Sequence, residues 1–318
     1  MSYVKRIVED VVKEVSRVVL GHERDITYIT LAIIMGGHVL IYGPPGAAKT
    51  LTSEAIAHVL GLKFKRISFT PDILPSDIIG AKIIDPKTAE LRTVKGPIFA
   101  NLVLADEINR GNPKSLSALL EAMQEGKVSI EGDVYELPKP FSVIATLNPI
   151  ETQGIFPLPI AVLDRFMLSL KFDYPSREVE EAVLLSDRLV STYDLLSKLR
   201  VVVNDVSEIS KAIREIEHVF VDKDVLDYIL DIVTRVRSDS RVFSGPSPRA
   251  AQHLLRISRS LALVDGRDYV IPDDVKEASI ITLRHRLVIR GSTGSILDDL
   301  RISEKIIEDV LRSIKPPL

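Results

Sequence analysis

The sequence predicts two compact units: an α/β domain with a largely parallel sheet covered on both faces over residues 1–175, and an all-helical domain over residues 176–318. Three observations carry this. Up to residue 172, short apolar runs of strand character alternate with helical stretches. A glycine- and proline-rich turn, Gly43-Pro44-Pro45-Gly46-Ala47-Ala48-Lys49-Thr50, joins one such run, His38-Val39-Leu40-Ile41-Tyr42, to a helical one. Beyond Tyr174-Pro175-Ser176 every apolar pattern has a helical period.

Taken in order, Ile7, Val8, Val11, Val12, Val15, Val18 and Val19 recur at three- and four-residue spacing, which predicts a helix from Val4 that Gly21 ends. A second apolar helix over 26–35 runs up to Gly36-Gly37. The helix after the turn covers 51–60 and stops at Gly61, and 64–69 reads as a strand. The polar, Pro-rich passage 70–97 contains Ile78-Ile79, Ile83-Ile84 and Leu91, so an inserted small element is expected there. Leu102-Val103-Leu104-Ala105 is a buried strand ending in Asp106-Glu107. An amphipathic helix over 115–124 closes at Gly126, and 127–137 reads as a hairpin around Glu131-Gly132-Asp133. The strand 141–147 ends at Asn148-Pro149. A loop and short helix lead to Leu163-Asp164-Arg165-Phe166 and a last strand, 167–172. Helices over 178–189, 207–219, 222–236, 247–263, 272–284 and 303–314 complete the chain.

The 318 residues are 46% hydrophobic and 27% charged, and the formal charge of −3 gives no global basic field, so avid nucleic-acid binding through the whole surface is not implied, which leaves a local basic groove open. There is no cysteine, which excludes disulfides, thiolate metal sites and a cysteine nucleophile. Neither the N-terminal stretch nor the longest apolar run, 31–42, has the pattern of a signal peptide or membrane span, so a cytoplasmic protein is expected. The six histidines are scattered, with no metal-binding spacing. Arg284-His285-Arg286 ends a helix, where cations suit the dipole, and is expected to have no catalytic role.

The chemistry concentrates in a few places. Between a strand and a helix N-terminus, a glycine-rich turn can curl its backbone N–H groups around phosphate oxygens, aided by the helix dipole. Lys49 would meet the β- and γ-phosphates, and Thr50 would place its hydroxyl on Mg²⁺. Ala48 stands where the strict motif has glycine, and its methyl is tolerated only with a negative φ. Asp106 and Glu107 lie at the carboxyl end of a buried strand, the edge where such sheets bind ligands. Successive residues of a strand alternate in direction, so Asp106 can face the metal while Glu107 faces an attacking water. Asn148 ends the neighbouring strand and either orients that water or initiates the turn before Pro149. By local pattern Arg165 is a salt-bridged surface residue; its functional reading is an arginine finger for a neighbouring subunit. Ser247 reads as an N-cap and Pro248 as the first helical residue, which puts Arg249 in a first turn where the dipole disfavours a cation. An anion must offset it, either a γ-phosphate across a cleft or a nearby carboxylate.

Together Gly43 to Thr50, Leu102 to Glu107, Ala145 to Asn148, Leu163 to Phe166 and Gly245 to Ala250 resemble the AAA+ ATPases, and more closely their MoxR branch. Phe69-Thr70-Pro71-Asp72-Ile73-Leu74-Pro75-Ser76-Asp77, Gly96-Pro97-Ile98-Phe99-Ala100-Asn101 and Leu119-Leu120-Glu121-Ala122-Met123-Gln124-Glu125 are particularly similar to that branch, in which a Gly-x-x-Gly-x-Ala-Lys-Thr loop is a familiar variant. The resemblance implies a P-loop αβα nucleotide domain followed by a helical lid, with nucleotide between them and the site completed by the next subunit of a hexameric ring. It places the helix-2 insert within 70–97 and the pre-sensor-1 hairpin at about 127–137. It assigns Gly43 to Leu51 to nucleotide, Thr50 and Asp106 to Mg²⁺, Glu107 to water activation, Asn148 to sensor 1, Arg165 to the finger and Arg249 to sensor 2. It also puts Gly21 beside adenine. The implied function is ATP hydrolysis used to remodel or mature a protein, often one with a von Willebrand factor A domain. The alternatives are an MCM-like nucleic-acid motor, against which the acidic hairpin residues Glu131, Asp133 and Glu136 argue, and a non-catalytic ATP switch.

Overall fold

The computed structural model describes residues 2–87, 89–148, 156, 158–185, 192–205, 207–292 and 294–317. Helices Tyr3–Val15 (α1) and Glu23–Ile34 (α2) precede the first strand, His38–Tyr42 (β1). Lys49–Val59 (α3) and Phe64–Ser68 (β2) follow the glycine-rich turn. An insert comprises Pro75–Ile79 (α4) and the antiparallel pair Gly80–Ile84 (β3) and Leu91–Lys95 (β4). Next come Leu102–Asp106 (β5), a 3-10 turn at Ile108–Arg110, and Pro113–Glu125 (α5). Lys127–Ile130 (β6) and Asp133–Glu136 (β7) form a hairpin, followed by Ser142–Leu147 (β8), Ile160–Leu163 (α6) and Phe166–Lys171 (β9). The remainder contains Arg177–Leu185 (α7), Thr192–Leu196 (α8), Ser207–His218 (α9), Lys223–Ser238 (α10), Val242–Ser244 (β10), Pro248–Val264 (α11), Pro272–Leu283 (α12), a 3-10 turn at Arg284–Arg286, Val288–Ile289 (β11) and Ile296–Ser313 (α13).

Five strands pair in parallel in the order β2-β5-β8-β1-β9. Alternation along each strand feeds two cores. Val39 and Ile41, Leu102 and Leu104, and Ile144 face the side covered by α1, α2 and α3. Leu40 and Tyr42, Val103 and Ala105, and Val143, Ala145 and Leu147 face α5 and the insert. Because all five strands run the same way, the residues after β1, β5 and β8 emerge on one edge.

Local chemistry accounts for several helix ends. Asn112 caps α5 by accepting from Lys114 N and Ser115 N with Pro113 at the first turn, and Gly126 ends it in the left-handed region at φ 60°. Ser247 caps α11 and Pro248 opens it, as the sequence predicts. Three expectations need correction. The first helix ends at Val15, and Val18 and Val19 pack on the core from the segment beyond it, so helical spacing there coincides with burial rather than with helix. The last helix starts at Ile296, seven residues before 303, with Ser295 as its cap. The second unit is helical as expected but also holds the antiparallel pair β10-β11. Pro149 and residues 186–189 lie outside the described residues.

Arg284, His285 and Arg286, at the end of α12, are 5%, 2% and 1% exposed and form a buried joint. Arg284 donates to the Ser169 hydroxyl (3.1 Å) and carbonyl (2.5 Å), and His285 Nε2 donates to the Phe166 carbonyl at 3.0 Å. Arg286 donates to Asp164 Oδ1 (3.0 Å), the Phe166 carbonyl (2.5 Å), the Thr282 carbonyl and His253 Nδ1 (2.7 Å). The joint therefore ties α12 to β9 and to the residues just before it.

Two histidines, His38 and His285, are buried, and a third, His253, is half-buried. His38 Nδ1 accepts from Val143 N and Nε2 donates to the Met123 carbonyl, both at 3.0 Å, and burial pushes its pKa down to about 4. Burial and the Arg286 charge push His253 down to about 2, and the same two causes hold His285 well below its ordinary value. For such groups the unfolded chain takes up protons first, so their contribution is intact above about pH 6.5 and is lost as pH falls toward the folded value. His38 alone accounts for about 3 kcal/mol between pH 6.5 and 4. Urea unfolding across pH 7.0–4.5 should show falling stability over this window. His38→Gln should make that fall shallower by about 1.4 kcal/mol per pH unit, one proton's worth; an unchanged slope contradicts the assignment.

Candidate active site

The turn from β1 to α3 is set first by packing. A Cβ on Gly43 would lie 2.0 Å from the Phe172 carbonyl oxygen, so glycine is required for strand contact, independently of any ligand. Ala48 has φ 55° and ψ 16°, which corrects the expectation of a negative φ. The left-handed region costs an alanine about 1–2 kcal/mol, strain of the kind that sits at functional loops. Pro45, Gly46, Ala47, Ala48, Lys49, Thr50 and Leu51 line a cavity of about 660 Å³, whereas Gly43 and Pro44 stand behind it. The Lys49 ammonium donates to the Gly43 carbonyl at 2.5 Å and the Leu147 carbonyl at 3.5 Å. Burial lowers its pKa, and Asp106 and Glu107 oppose that shift.

Asp106, Glu107 and Asn148 line the same cavity, together with Thr146 and Arg66. Thr146 holds both acids: its Oγ1 donates to Asp106 Oδ1 at 2.6 Å and accepts from Glu107 N at 2.9 Å. Arg66 Nε donates to Asp106 Oδ2 at 3.0 Å, and Arg110 Nη1 to Glu107 Oε2 at 2.8 Å. Glu107 has φ 55°, so it leaves strand geometry at once, and its direction comes from a left-handed kink rather than from the alternation expected. Asn148 is 9% exposed at the end of β8, next to the strand ends that carry Lys49 and Asp106.

Arg165 and Arg249 do not line this cavity. With the Gln124 amide turned to satisfy both groups, its oxygen accepts from Arg165 Nε at 2.8 Å. Arg249 Nη1 is 3.8 Å from Asp164 Oδ2, so the anion that offsets it within this chain is a carboxylate. Burial and then the Arg249 charge lower the pKa of Arg165.

The other side of the loop borders a second, mainly apolar cavity of about 570 Å³, lined among others by Val18, Leu20, Leu51, Tyr174, Pro175 and Val179. Gly21 does not line it: at φ 79°, where a Cβ would lie 3.3 Å from Val179 Cγ2, it lines a smaller neighbouring cavity of about 300 Å³ with His22, Tyr174, Pro175 and Val179. His22 stacks on Phe172 with centroids 4.3 Å apart, and its Nδ1 is 3.0 Å from Asp25. Sequence reasoning missed Arg66, Arg110, Thr146 and this apolar wall. Tyr174-Pro175 showed only as a boundary, and Thr146 only as one residue of a buried strand.

The donor set fits a magnesium triphosphate. A lysine, a hydroxyl and a carboxylate converge beside a helix N-terminus, and among the described residues no group of three or more His, Cys, Asp or Glu could cage a metal alone. Magnesium is characteristically held by one or two protein oxygens with phosphate and water completing its shell.

The comparisons agree. The family described as "ATPase family associated with various cellular activities (AAA)" matches residues 38–168, and an AAA lid domain matches 235–308. The fold and site thus define an AAA+ ATPase-family protein. Chaperone MoxR1 of Mycobacterium tuberculosis is 40% identical over 326 residues, covering 97% of this chain and 82% of that protein. The uncharacterised protein YeaC of Bacillus subtilis is 40% identical over 308 residues, 96% and 94% of the two chains. A solved structure of a candidate ATPase from Cytophaga hutchinsonii superposes with TM-score 0.87 at 35% identity, covering 99% and 96%. The chain belongs to the MoxR family of AAA+ ATPases. Among the described residues no helix is long and apolar enough to cross a membrane.

Thr146→Val keeps the shape but strips Asp106 of a donor and Glu107 N of its acceptor. Urea unfolding without nucleotide should show a loss of about 1–3 kcal/mol; a variant as stable as wild type contradicts this role for Thr146.

Proposed function

We propose that this protein hydrolyses ATP to ADP and phosphate at a site shared between copies in a ring, taken to be a hexamer, and uses the cycle to remodel a protein client. The observation that carries the reading is the convergence of Lys49, Thr50, Asp106, Glu107 and Asn148 at one sheet edge, while Arg165 and Arg249 lie outside that cavity, on either side of Asp164. Lys49 binds the β- and γ-phosphate oxygens in place of the Gly43 and Leu147 carbonyls. The Glu107 carboxylate accepts a proton from the attacking water, and Asn148 orients that water. Thr50 and Asp106 hold Mg²⁺, which when bound offsets charge across the phosphates. The apolar cavity takes the base, with the Gly21 segment beside it. Arg165 and Arg249 then serve the nucleotide of the adjoining copy. In this reading residues 1–175 are the nucleotide domain and 176–318 the lid.

The client surface is the insert and hairpin. Ile84, Leu91 and Val134 are 66%, 69% and 63% exposed, and the two elements brace each other through Lys82–Asp133 (2.9 Å) and Thr93–Tyr135 (2.9 Å). Exposed apolar strand residues suit a protein client, such as a cytoplasmic protein with a von Willebrand factor A domain. The nucleic-acid motor is disfavoured because the hairpin's Lys127 faces Glu136 at 3.5 Å and its other charges are acidic. A non-catalytic switch is disfavoured because Glu107 is held at the cavity by a dedicated backbone hydrogen bond.

Steady-state phosphate release should rise in specific activity with protein concentration and vanish in Glu107→Gln. Arg165→Ala should lose about 10³-fold or more in kcat, and mixing it with Glu107→Gln copies should restore part of the turnover. Wild type that binds ATP yet stays inert at every concentration contradicts the reading.

A further inference from the structure

Asp164 ends α6 and directly precedes Arg165. Its Oδ1 accepts from Ser247 Oγ at 2.7 Å and from Arg286 Nε at 3.0 Å, and its Oδ2 faces Arg249 Nη1 at 3.8 Å. Ser247 is itself the cap of α11: the hydroxyl that donates to Asp164 accepts from Ala250 N at 3.3 Å. One carboxylate therefore holds the first turn of the helix that carries Arg249, the buried joint at Arg286, and the segment that carries Arg165. Arg286 is 1% exposed and bonded on several sides, so Asp164 does not shift without the joint shifting too.

We propose that Asp164 is a positioning residue that makes Arg165 and Arg249 a single two-cation unit, so that one movement of the α11–α12 layer presents or withdraws both from the triphosphate of the adjoining copy. This rests on the ATPase reading above. Asp164 precedes Arg165 in the chain and faces Arg249, while the turned Gln124 amide accepts from Arg165, so the placement of both cations is fixed from one end of α6. The bound triphosphate then completes an arrangement that is already built.

Asp164→Asn keeps the size and removes the charge; Asp164→Glu keeps the charge and alters reach; Ser247→Ala removes one donor and leaves the carboxylate intact. In the ring, Asp164→Asn should lower kcat about 10- to 100-fold with KM changed less than about twofold, and Asp164→Glu should recover part of it. Mixed with Glu107→Gln copies, Asp164→Asn copies should regain turnover, because each supplies what the other lacks. Mixed with Arg165→Ala copies they should not. In the nucleotide-free protein, amide exchange over residues 247–251 should quicken about tenfold in Asp164→Asn and less in Ser247→Ala. An unchanged kcat, a rise in KM alone, or failure to complement Glu107→Gln in demonstrably mixed rings overturns the proposal. If Asp164→Asn does not fold, Ser247→Ala must show the same kcat-only defect, and its absence is equally decisive. Inert wild type sinks the ATPase reading instead, and unchanged exchange in the variants then sinks the grip of Asp164 on the helical layer.

Discussion

The pairing of β1, β5 and β8 in one parallel register is the constraint on which the site depends. It sets the ends of three strands side by side, so that Lys49, Asp106 and Asn148 meet although about a hundred residues separate the first from the last. The strands are buried on both faces, and a slip by one residue would exchange the side chains that fill the two cores. Burial energy thus fixes the geometry of a polar site that supplies little cohesion itself. Thr146 refines it by tethering Asp106 through its side chain and Glu107 through its backbone.

A second constraint is the buried joint around Arg286. An arginine at 1% exposure is tolerable only with its charge and donors met, and Asp164, Phe166, Thr282 and His253 meet them. The same joint keeps His253 and His285 neutral. It connects the helical layer to the strand that follows Arg165, so under the proposal above the helical part and the Arg165 segment move as one piece. The carboxylate that neutralises Arg286 also faces Arg249, so stability and arginine placement share a residue.

Much of this was legible in the sequence because it rests on local signals. The strand-turn-helix around Gly43 to Thr50, the apolar run closed by Asp106-Glu107, and the caps Ser247-Pro248 and Gly126 all act over a few residues. What escaped depends on partners far apart in the chain. Arg66 reaches Asp106 across forty positions, and Thr146 does so from the neighbouring strand. Arg284-His285-Arg286 read only as a basic helix end, because burial of a charge leaves no periodic trace. Ala48 and Glu107 adopt φ near +55°, which residue type alone argues against. Arg249 reads from its first-turn place as a cation in need of an anion, and within the chain Asp164 lies 3.8 Å from it.

The central claim is that one copy's arginines complete another copy's phosphate site, and the absence of cysteine makes it directly measurable. Glu54 lines the phosphate cavity, and Ile160 is 41% exposed on the helix that leads to Arg165. Glu54→Cys and Ile160→Cys, made in separate Glu107→Gln copies and mixed with Mg-ATP, should form a disulfide between copies that neither variant forms alone. Mixed, ATP-bound assemblies that form no such bond under oxidising conditions would contradict the account.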